Sequence, residues 1–251
     1  MKMEWNNSMK IDLVIAAGSK RRREFYGKTV VVIDVLRASS TIVTALTNGC
    51  PALYPVADAG AAALLRRQLG SECLTGGERH GLKIPGFDLG NSPLEYTAEA
   101  VGGRQIILTT SNGTQALLEA HNADEILIGS FLNAERTSSY LATNSEVVFF
   151  CAGSNGEPGL EDLLCAGLMT EQLLAGGVEA ELTDGAKLGL ITYRYLLSGP
   201  KAKLADVLRQ SLHAKRLIDI GFSADLDYCA QSETRPCLVR YQDGRITLDH
   251  R

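Results

Sequence analysis

The sequence lacks the features of nucleic-acid-binding and membrane proteins. Its 25 Lys and Arg are outnumbered by 29 Asp and Glu, and the formal net charge is −4, whereas a general nucleic-acid binder normally has a basic surplus. No stretch reaches the roughly 18 consecutive apolar residues that span a membrane. These absences predict that neither nucleic acid nor a membrane is a partner.

Paired cysteine motifs are also absent. The six cysteines include no C-x-x-C spacing, which argues against a zinc knuckle and a thioredoxin-type site and favours free thiols in a reducing compartment. A secretory signal has its basic residues before its apolar run, whereas here the basic residues 20–23 follow the apolar residues 11–17. We therefore expect a cytoplasmic protein.

Composition and length set the scale of the fold. At 251 residues, with 45% hydrophobic and 22% charged residues, the chain resembles an ordinary globular protein with a sizeable core. We expect a single catalytic unit over residues 1–251. A division into two α/β lobes, about 10–130 and 131–251, that share one cleft is left open. Enzymes of this size often form symmetric dimers, and a homo-oligomer is expected on that ground alone.

Residues 30–41 carry the densest chemistry of the chain. Four apolar residues predict a buried strand that ends at Asp34, and Arg37 follows at once. Three hydroxyl residues then precede a helix: Ser39, Ser40 and Thr41. Ligand sites of α/β proteins lie at such strand ends. This pattern indicates a metal held by Asp34 and an anion held by Arg37, or else a turn whose acid and base only pair with each other.

The rest of the chain alternates predicted strands with predicted helices. Residues 11–15 form the first strand, and Asp58 caps a helix that runs to Leu69. Residues 204–220 read as one amphipathic helix, and residues 237–248 read as a hairpin with an Asp-Gly turn. This alternation predicts a three-layer α/β/α fold with a mostly parallel sheet and a C-terminal β-hairpin.

Residues 75–93 interrupt the alternation. Five glycines and two prolines predict no regular structure, and apolar residues predict an ordered loop over the site. The segment contains a cluster of charged and polar candidates: Glu78, Arg79, Asp88, Asn91 and Ser92.

Residues 109–114 form a second candidate element between a strand and a helix. They are small hydroxyl or amide residues and glycine: Thr109, Thr110, Ser111, Asn112, Gly113 and Thr114. Such a turn allows backbone N–H groups to approach an oxyanion. The alternative is a capped turn that binds nothing. The segment is not a Walker loop, because no Gly-Lys-Ser/Thr follows.

Two further strands end in polar residues. The first is followed by Ser130 and Asn133, and the second, residues 146–151, leads to a helix that begins near Glu161 and Asp162. These acids either complement the helix dipole or complete a metal site with Asp34.

Two other features are assigned no part in the site. Glu157, six residues after Cys151, occupies the position where a cysteine phosphatase has its phosphate-binding arginine, which excludes that mechanism. Asp225 and Asp227 are interpreted as loop acids.

Together, six segments in this order resemble the 2-phosphosulfolactate phosphatase family, the ComB-type enzymes of coenzyme M biosynthesis. The segments are residues 34–38, 77–79, 86–93, 109–114, 129–134 and 151–162. The resemblance covers roughly residues 10–240 and implies an α/β fold and Mg²⁺-dependent hydrolysis of a phosphate monoester of sulfolactate. Ser39 and Ser111 stand where the family is expected to have threonine, which keeps the hydroxyl group.

The resulting site hypothesis assigns three roles. The catalytic candidates are Asp34, Arg37, Glu78 and Arg79, and the Mg²⁺ candidates are Asp34, Glu161 and Asp162. The substrate-binding candidates are Ser39, Ser40, Thr41, Asp88, Asn91, Ser92, Thr110, Ser111, Asn112, Gly113, Thr114, Ser130 and Asn133. A haloacid-dehalogenase-type nucleophile would need an aspartate at position 36, where Leu36 stands, so attack by metal-activated water is favoured.

Two other functions remain open. One is a phosphatase or transferase for another small phosphorylated acid, and the other is a non-catalytic protein that binds small anions.

Overall fold

The computed structural model describes residues 8–18, 24–199 and 202–251. The basic residues 20–23, which entered the argument about a signal peptide, lie outside the described residues. The described part has eleven strands in one sheet. In chain order they are β1 Met9–Val14, β2 Thr29–Ile33, β3 Leu53–Pro55, β4 Leu74–Arg79, β5 Leu82–Lys83, β6 Ile106–Thr109, β7 Glu125–Gly129, β8 Glu146–Cys151, β9 Ala180–Leu182, β10 Leu238–Gln242 and β11 Arg245–Asp249.

Ten α-helices surround this sheet in the described residues. They are α1 Ala38–Thr47, α2 Ala59–Leu69, α3 Ala98–Val101, α4 Gly113–Glu119, α5 Ala134–Leu141, α6 Leu160–Ala175, α7 Asp184–Leu197, α8 Leu204–Leu208, α9 Leu212–Asp219 and α10 Ser223–Cys229. Within the described ranges, none of these helices has both the length and the apolar character needed to cross a membrane.

The strand order is β5-β4-β6-β3-β11-β10-β7-β2-β8-β1-β9. Strands β4, β6 and β3 pair in parallel on one side, and β7, β2, β8, β1 and β9 pair in parallel on the other. The predicted C-terminal hairpin is present, with both residues of its Asp243-Gly244 turn at positive φ, as a tight hairpin turn requires. It lies between the two parallel groups and pairs antiparallel with β3 and β7.

Alternate residues of β2 face the two sides of the sheet. Val31 and Ile33 belong to a core cluster with residues of α6 and α9, whereas Val30 and Val32 belong to a second cluster with residues of α1 and α4. All five residues of β2 are buried, as expected for a central parallel strand covered on both faces. The mostly parallel α/β fold with three layers is thus confirmed.

Residues 75–93 differ from the expectation of a segment without regular structure. Most of β4 lies here and pairs in parallel with β6. Gly77 has φ +143°, and a Cβ atom there would lie 2.0 Å from the carbonyl oxygen of Thr109. The prediction of no regular structure was wrong because glycine was expected to interrupt a strand. In the folded protein the glycine instead allows β4 and β6 to approach closely.

Two expectations near the C-terminus also need correction. Residues 204–220 form two helices, α8 and α9, because Ser211 caps a new helix by accepting a hydrogen bond from the Ala214 N–H. Asp225 is not in a loop but in α10, where it is buried. Strand β9 closes one edge of the sheet by pairing in parallel with β1.

The sheet is continuous through both of the lobes considered from the sequence. Strands β1 and β2, which precede residue 130, both pair with β8, which follows it. The division into lobes stays a prediction, and the pairing means that any such lobes share their central strands.

Candidate active site

A cavity of about 470 Å³ lies beyond the carboxyl ends of β2, β6 and β8. Its lining comes from six separate parts of the chain: Asp34, Leu36, Arg37, Glu78, His80, Gly81, Asn91, Ser111, Asn112, Ser154, Asn155, His213, Arg216, Leu217, Asp219 and Ile220. Segments that the sequence analysis selected separately, around residues 34, 78, 91 and 111, therefore meet at one cavity.

Asp34 is held in place where β2 meets α1. Its backbone N–H donates to Ser39 Oγ at 2.9 Å, and its carboxylate accepts a hydrogen bond of 3.3 Å from the Ala38 N–H. Gly113, at the start of α4, is so close that a Cβ atom there would lie 2.9 Å from Asp34 Oδ2. Burial raises the pKa of Asp34 to about 6.

Glu161 and Asp162 lie behind this aspartate in the first turn of α6. Asp162 accepts hydrogen bonds from the Val35 N–H at 2.8 Å and from the Gly153 N–H at 3.0 Å, so it joins the turns that follow β2 and β8. Burial, together with the charges of Glu161 and Asp34, raises the pKa of Asp162 well above its usual value. The three predicted metal ligands are thus electrostatic neighbours.

Glu161 pairs with a histidine that lines the cavity. His213 Nδ1 lies 3.0 Å from Glu161 Oε1. Burial raises the pKa of Glu161, but the hydrogen bond and the charge of His213 outweigh it, so the pKa lies below its usual value. The pKa of His213 is raised for the same reason, although its own burial opposes this. The second oxygen of Glu161, Oε2, is buried and has no hydrogen-bond partner among the described residues.

The oxygen atoms of Asp34, Glu161 and Asn91 are of the kind that binds Mg²⁺. Mg²⁺ prefers oxygen ligands, usually keeps several waters and needs only one or two carboxylates. Two buried side-chain oxygens, Glu161 Oε2 and Asn91 Oδ1, have no hydrogen-bond partner in the part of the chain that the structure describes, and Asp34 lines the cavity. Among the described residues, no group of three His, Cys, Asp or Glu side chains forms a ready set of metal ligands.

Arg37 lines the cavity but is already engaged in a buried ion pair. Its Nη1 lies 2.6 Å from Asp225 Oδ2, and both side chains are only 2% exposed. Its Nη2 donates to the Gly81 carbonyl at 2.6 Å, and its Cζ lies 4.2 Å from the centre of the Phe222 ring. The other Asp225 oxygen accepts a hydrogen bond of 2.7 Å from Ser92 Oγ. Arg37 thus joins the α1 turn to the β4–β5 turn and to α10.

Glu78 and Arg79 are neighbours at the end of β4, but only Glu78 is in the cavity lining. Glu78 lines the cavity and accepts hydrogen bonds from the backbone N–H groups of Ser111 (2.7 Å) and Gly81 (2.8 Å). Arg79 is not in the cavity lining and donates instead to the carbonyl oxygens of Glu78 and Ala57. The catalytic role of each remains a prediction.

The turn over residues 109–114 meets the cavity through Ser111 and Asn112. One of its backbone N–H groups, that of Ser111, is already satisfied by Glu78. Thr110 and Thr114 bond mainly to each other, with the Thr114 N–H donating to Thr110 Oγ1 at 3.1 Å. The anion cradle expected here therefore has at least one donor engaged within the protein.

Several other substrate-binding candidates have partners within the protein and are not in the cavity lining. Ser40 donates to the Val35 carbonyl (2.9 Å), and Thr41 donates to the Asn91 carbonyl (2.8 Å). Asn133 accepts from the Ser130 N–H at 3.0 Å, which closes the turn after β7. Substrate contact by these residues stays a prediction.

Asp88 fastens the glycine-rich segment to β4 and α2. It accepts hydrogen bonds from the Thr75 N–H (2.8 Å) and hydroxyl (2.9 Å) and pairs with Arg66 at 3.0 Å. Burial raises its pKa, but these contacts outweigh it, so the pKa lies below its usual value. Asp88 is not in the cavity lining.

We therefore expect Asp88→Ala to act mainly on stability. The buried Thr75 N–H and hydroxyl lose their acceptor, and the free energy of unfolding falls by about 1–2 kcal/mol, measured by urea denaturation. Glu72→Ala, at an exposed neighbouring position, is the control and changes it by less than about 0.5 kcal/mol. An increase in KM at unchanged stability would instead support contact between Asp88 and the substrate.

Sequence reasoning missed three side chains of the site: His213, Arg216 and Asp225. The first two lie one turn apart on α9 and line the cavity. Nothing local distinguishes them from the polar face of an ordinary amphipathic helix. The mixed character of α9, which has apolar residues on one side and a histidine and an arginine on the other, was the only available signal.

The environment of Cys151 agrees with the prediction that this residue is not a catalytic nucleophile. It is fully buried, and burial raises the pKa of its thiol well above the usual value. A reactive cysteine needs a lowered pKa. The structure therefore supports the exclusion of a cysteine-phosphatase mechanism.

The fold and the cavity define an α/β protein with a polar site for a small molecule. The site lies at the carboxyl ends of strands, where α/β proteins bind their ligands. Residues 16–244 match the 2-phosphosulpholactate phosphatase family, and the chain belongs to that family. A probable 2-phosphosulfolactate phosphatase of Clostridium acetobutylicum is 37% identical over 95% of this chain and all of the relative. Proteins with the same description are 39% identical in Carboxydothermus hydrogenoformans, over 96% of this chain and 98% of the relative, and 43% identical in Thermotoga petrophila, over 84% and 89%.

Proposed function

We propose that this protein is a Mg²⁺-dependent phosphatase that hydrolyses 2-phosphosulfolactate to 3-sulfolactate and phosphate. Membership of the family and the description shared by its relatives support the reaction. The metal requirement depends on the observation that two buried oxygens, Glu161 Oε2 and Asn91 Oδ1, have no hydrogen-bond partners within residues 8–18, 24–199 and 202–251. Buried polar atoms normally have partners, so their environment suits a cation or a bound ligand.

Asp34 and Glu161 are the residues proposed to hold the metal. Both are carboxylates, and the charge of Glu161 contributes to the raised pKa of Asp34. Both oxygens of Asp162 accept backbone hydrogen bonds, so its proposed part is to hold the turns after β2 and β8 in position. Bound Mg²⁺ would supply positive charge against the transferring phosphoryl group.

The protein contributes orientation to the hydrolysis. A water oxygen forms a bond to phosphorus, the ester P–O bond breaks, and a proton ends on the sulfolactate oxygen. Arg37 lines the cavity, but Asp225 balances its charge and the Gly81 carbonyl holds its other terminal nitrogen. Its proposed part is to hold the turns after β2 and β4 in place around the substrate, so that they need no reorganisation during the reaction.

The test is phosphate release from 2-phosphosulfolactate in the presence of Mg²⁺ and of EDTA. We expect turnover with Mg²⁺, loss of turnover in EDTA and recovery on adding excess Mg²⁺. Calorimetry of Mg²⁺ with the wild type and with Glu161→Gln provides a readout that does not depend on activity, and the variant is expected to bind Mg²⁺ at least about tenfold more weakly.

A panel of substrates separates the alternatives. Equal turnover of generic phosphate esters would overturn the substrate assignment while leaving a phosphatase. Ligand-induced thermal stabilisation without phosphate release would identify a non-catalytic anion-binding protein, and full activity in EDTA would overturn the Mg²⁺ requirement.

A further inference from the structure

Arg216 differs from Arg37, the other arginine in the cavity lining, in its exposure and its partners. It projects from the last turn of α9 and is exposed at the cavity wall. Within the described ranges, no carboxylate oxygen lies within 4.0 Å of its guanidinium nitrogens, since it takes part in no ion pair there. Its Nη1 donates a hydrogen bond of 3.4 Å to Ser154 Oγ.

Arg37, the other arginine that lines the cavity, is already neutralised and hydrogen-bonded within the protein. Arg37 is buried, its charge is balanced by Asp225 at 2.6 Å, and both terminal nitrogens have partners. The guanidinium group has five N–H donors, and Arg216 uses one of them in its hydrogen bond to Ser154. Of the two arginines, Arg216 has the charge and the donors available for an anionic ligand.

The position of Arg216 also suits a ligand that bridges two walls of the cavity. Its contact with Ser154 connects α9 to the loop between β8 and α6. Of the carboxylates that line the cavity, Asp34 and Glu78 come from the ends of β2 and β4, and Asp219 comes from the end of α9. Asn112, which follows β6, and Asn155, which follows β8, also line the cavity. The Asn155 N–H donates to Asn112 Oδ1.

The proposed substrate has more negative charge than one phosphate-binding site can balance. It carries a carboxylate and a sulfonate in addition to the phosphate, and the guanidinium group binds such planar or tetrahedral oxyanions through two parallel hydrogen bonds. We infer that Arg216 binds an anionic group of the substrate other than the transferred phosphate and thereby selects phosphate esters that carry a second strong anion. This inference rests on the phosphatase function proposed above.

The experiment compares Arg216→Ala, Arg216→Lys and the wild type on three esters. These are 2-phosphosulfolactate, phospholactate, which lacks the sulfonate, and p-nitrophenyl phosphate, which lacks both further anions. We expect Arg216→Ala to lower kcat/KM for 2-phosphosulfolactate by about 10–100-fold, mainly through KM, because a charge-assisted hydrogen-bonded pair is lost. For p-nitrophenyl phosphate the loss is expected to be at least tenfold smaller, and Arg216→Lys should give an intermediate loss on 2-phosphosulfolactate.

Lys215→Ala is the matched control. Lys215 precedes Arg216 on α9, is exposed, and is not in the cavity lining, so the variant removes the same charge at nearly the same place. It should retain the wild-type kcat/KM for all three esters. Isothermal titration with 3-sulfolactate and with inorganic phosphate adds a direct readout, and we expect Arg216→Ala to weaken 3-sulfolactate binding much more than phosphate binding.

The outcomes separate this inference from the function on which it rests. An equal loss on 2-phosphosulfolactate and p-nitrophenyl phosphate, or the same loss in Lys215→Ala, would overturn the role of Arg216 while phosphatase activity stands. Absence of wild-type activity on every ester would overturn the proposed function itself. A loss that persists on phospholactate supports a contact with the carboxylate, and one that disappears supports a contact with the sulfonate.

Discussion

Asp34→Asn is expected to lower the rate of phosphate release by about 10³-fold or more while the protein stays folded. The amide keeps the shape of the side chain and the backbone hydrogen bond to Ser39, which involves the Asp34 N–H and not its carboxylate. It removes the negative charge proposed to hold the metal. Because burial raises the pKa of Asp34 to about 6, the neutral amide also relieves a desolvation cost, so stability should be unchanged or higher.

The measurements are phosphate release under saturating Mg²⁺ and urea denaturation. Asp227→Asn, an exposed aspartate of α10 outside the cavity lining, is the matched control and should retain wild-type turnover. Turnover within tenfold of the wild type in Asp34→Asn would contradict the mechanism. A large fall in stability would instead show that the carboxylate is needed for folding.

Asp225→Ala is expected to lower the free energy of unfolding by about 3–5 kcal/mol, because it leaves a buried guanidinium without its counterion. Arg37 and Asp225 are each 2% exposed and lie 2.6 Å apart. Removal of the carboxylate also leaves the buried hydroxyl of Ser92 without its acceptor. The loss would come from these uncompensated groups and not from the strength of the ion pair alone.

Urea denaturation tests this prediction, with a second ion pair whose aspartate is on the same helix, α10, as the comparison. Asp227 lies 2.6 Å from Arg209, but both side chains are largely exposed or at the surface, so Asp227→Ala should cost less than about 1 kcal/mol. The double variant Arg37→Met with Asp225→Leu should recover part of the stability, because it removes both buried charges. Equal losses in the two single aspartate variants would mean that burial of the first pair contributes nothing special.

Much of the fold was readable from local patterns. The buried strand before Asp34, the helix that Asp58 caps and the Asp-Gly hairpin each depend on residues close together in sequence, and all are present. The glycine-rich segment was misread because the same residue type that interrupts a strand in isolation allows β4 to lie against β6 in the folded protein.

The arrangement of the sheet was not readable in the same way. Three antiparallel pairings separate β3 from β7, so the two parallel groups run in opposite directions along the sheet. With a twist of roughly 20–25° per strand, the five steps from β6 to β2 add roughly 100–125°. The ends of β6 and β2 nevertheless meet, with Gly113 against Asp34, and this convergence depends on the whole sheet.

The sequence by itself determined the α/β class, the strand end at Asp34 and the family, because each depends on residue order over short stretches. Only the tertiary structure decided that Arg37 is neutralised by Asp225, that Glu161 pairs with His213 and that Arg216 has no counterion within the described ranges. These pairings join residues more than 50 positions apart. Their energies depend on burial and distance, which exist only after the helices at the end of the chain have packed over the carboxyl ends of the strands.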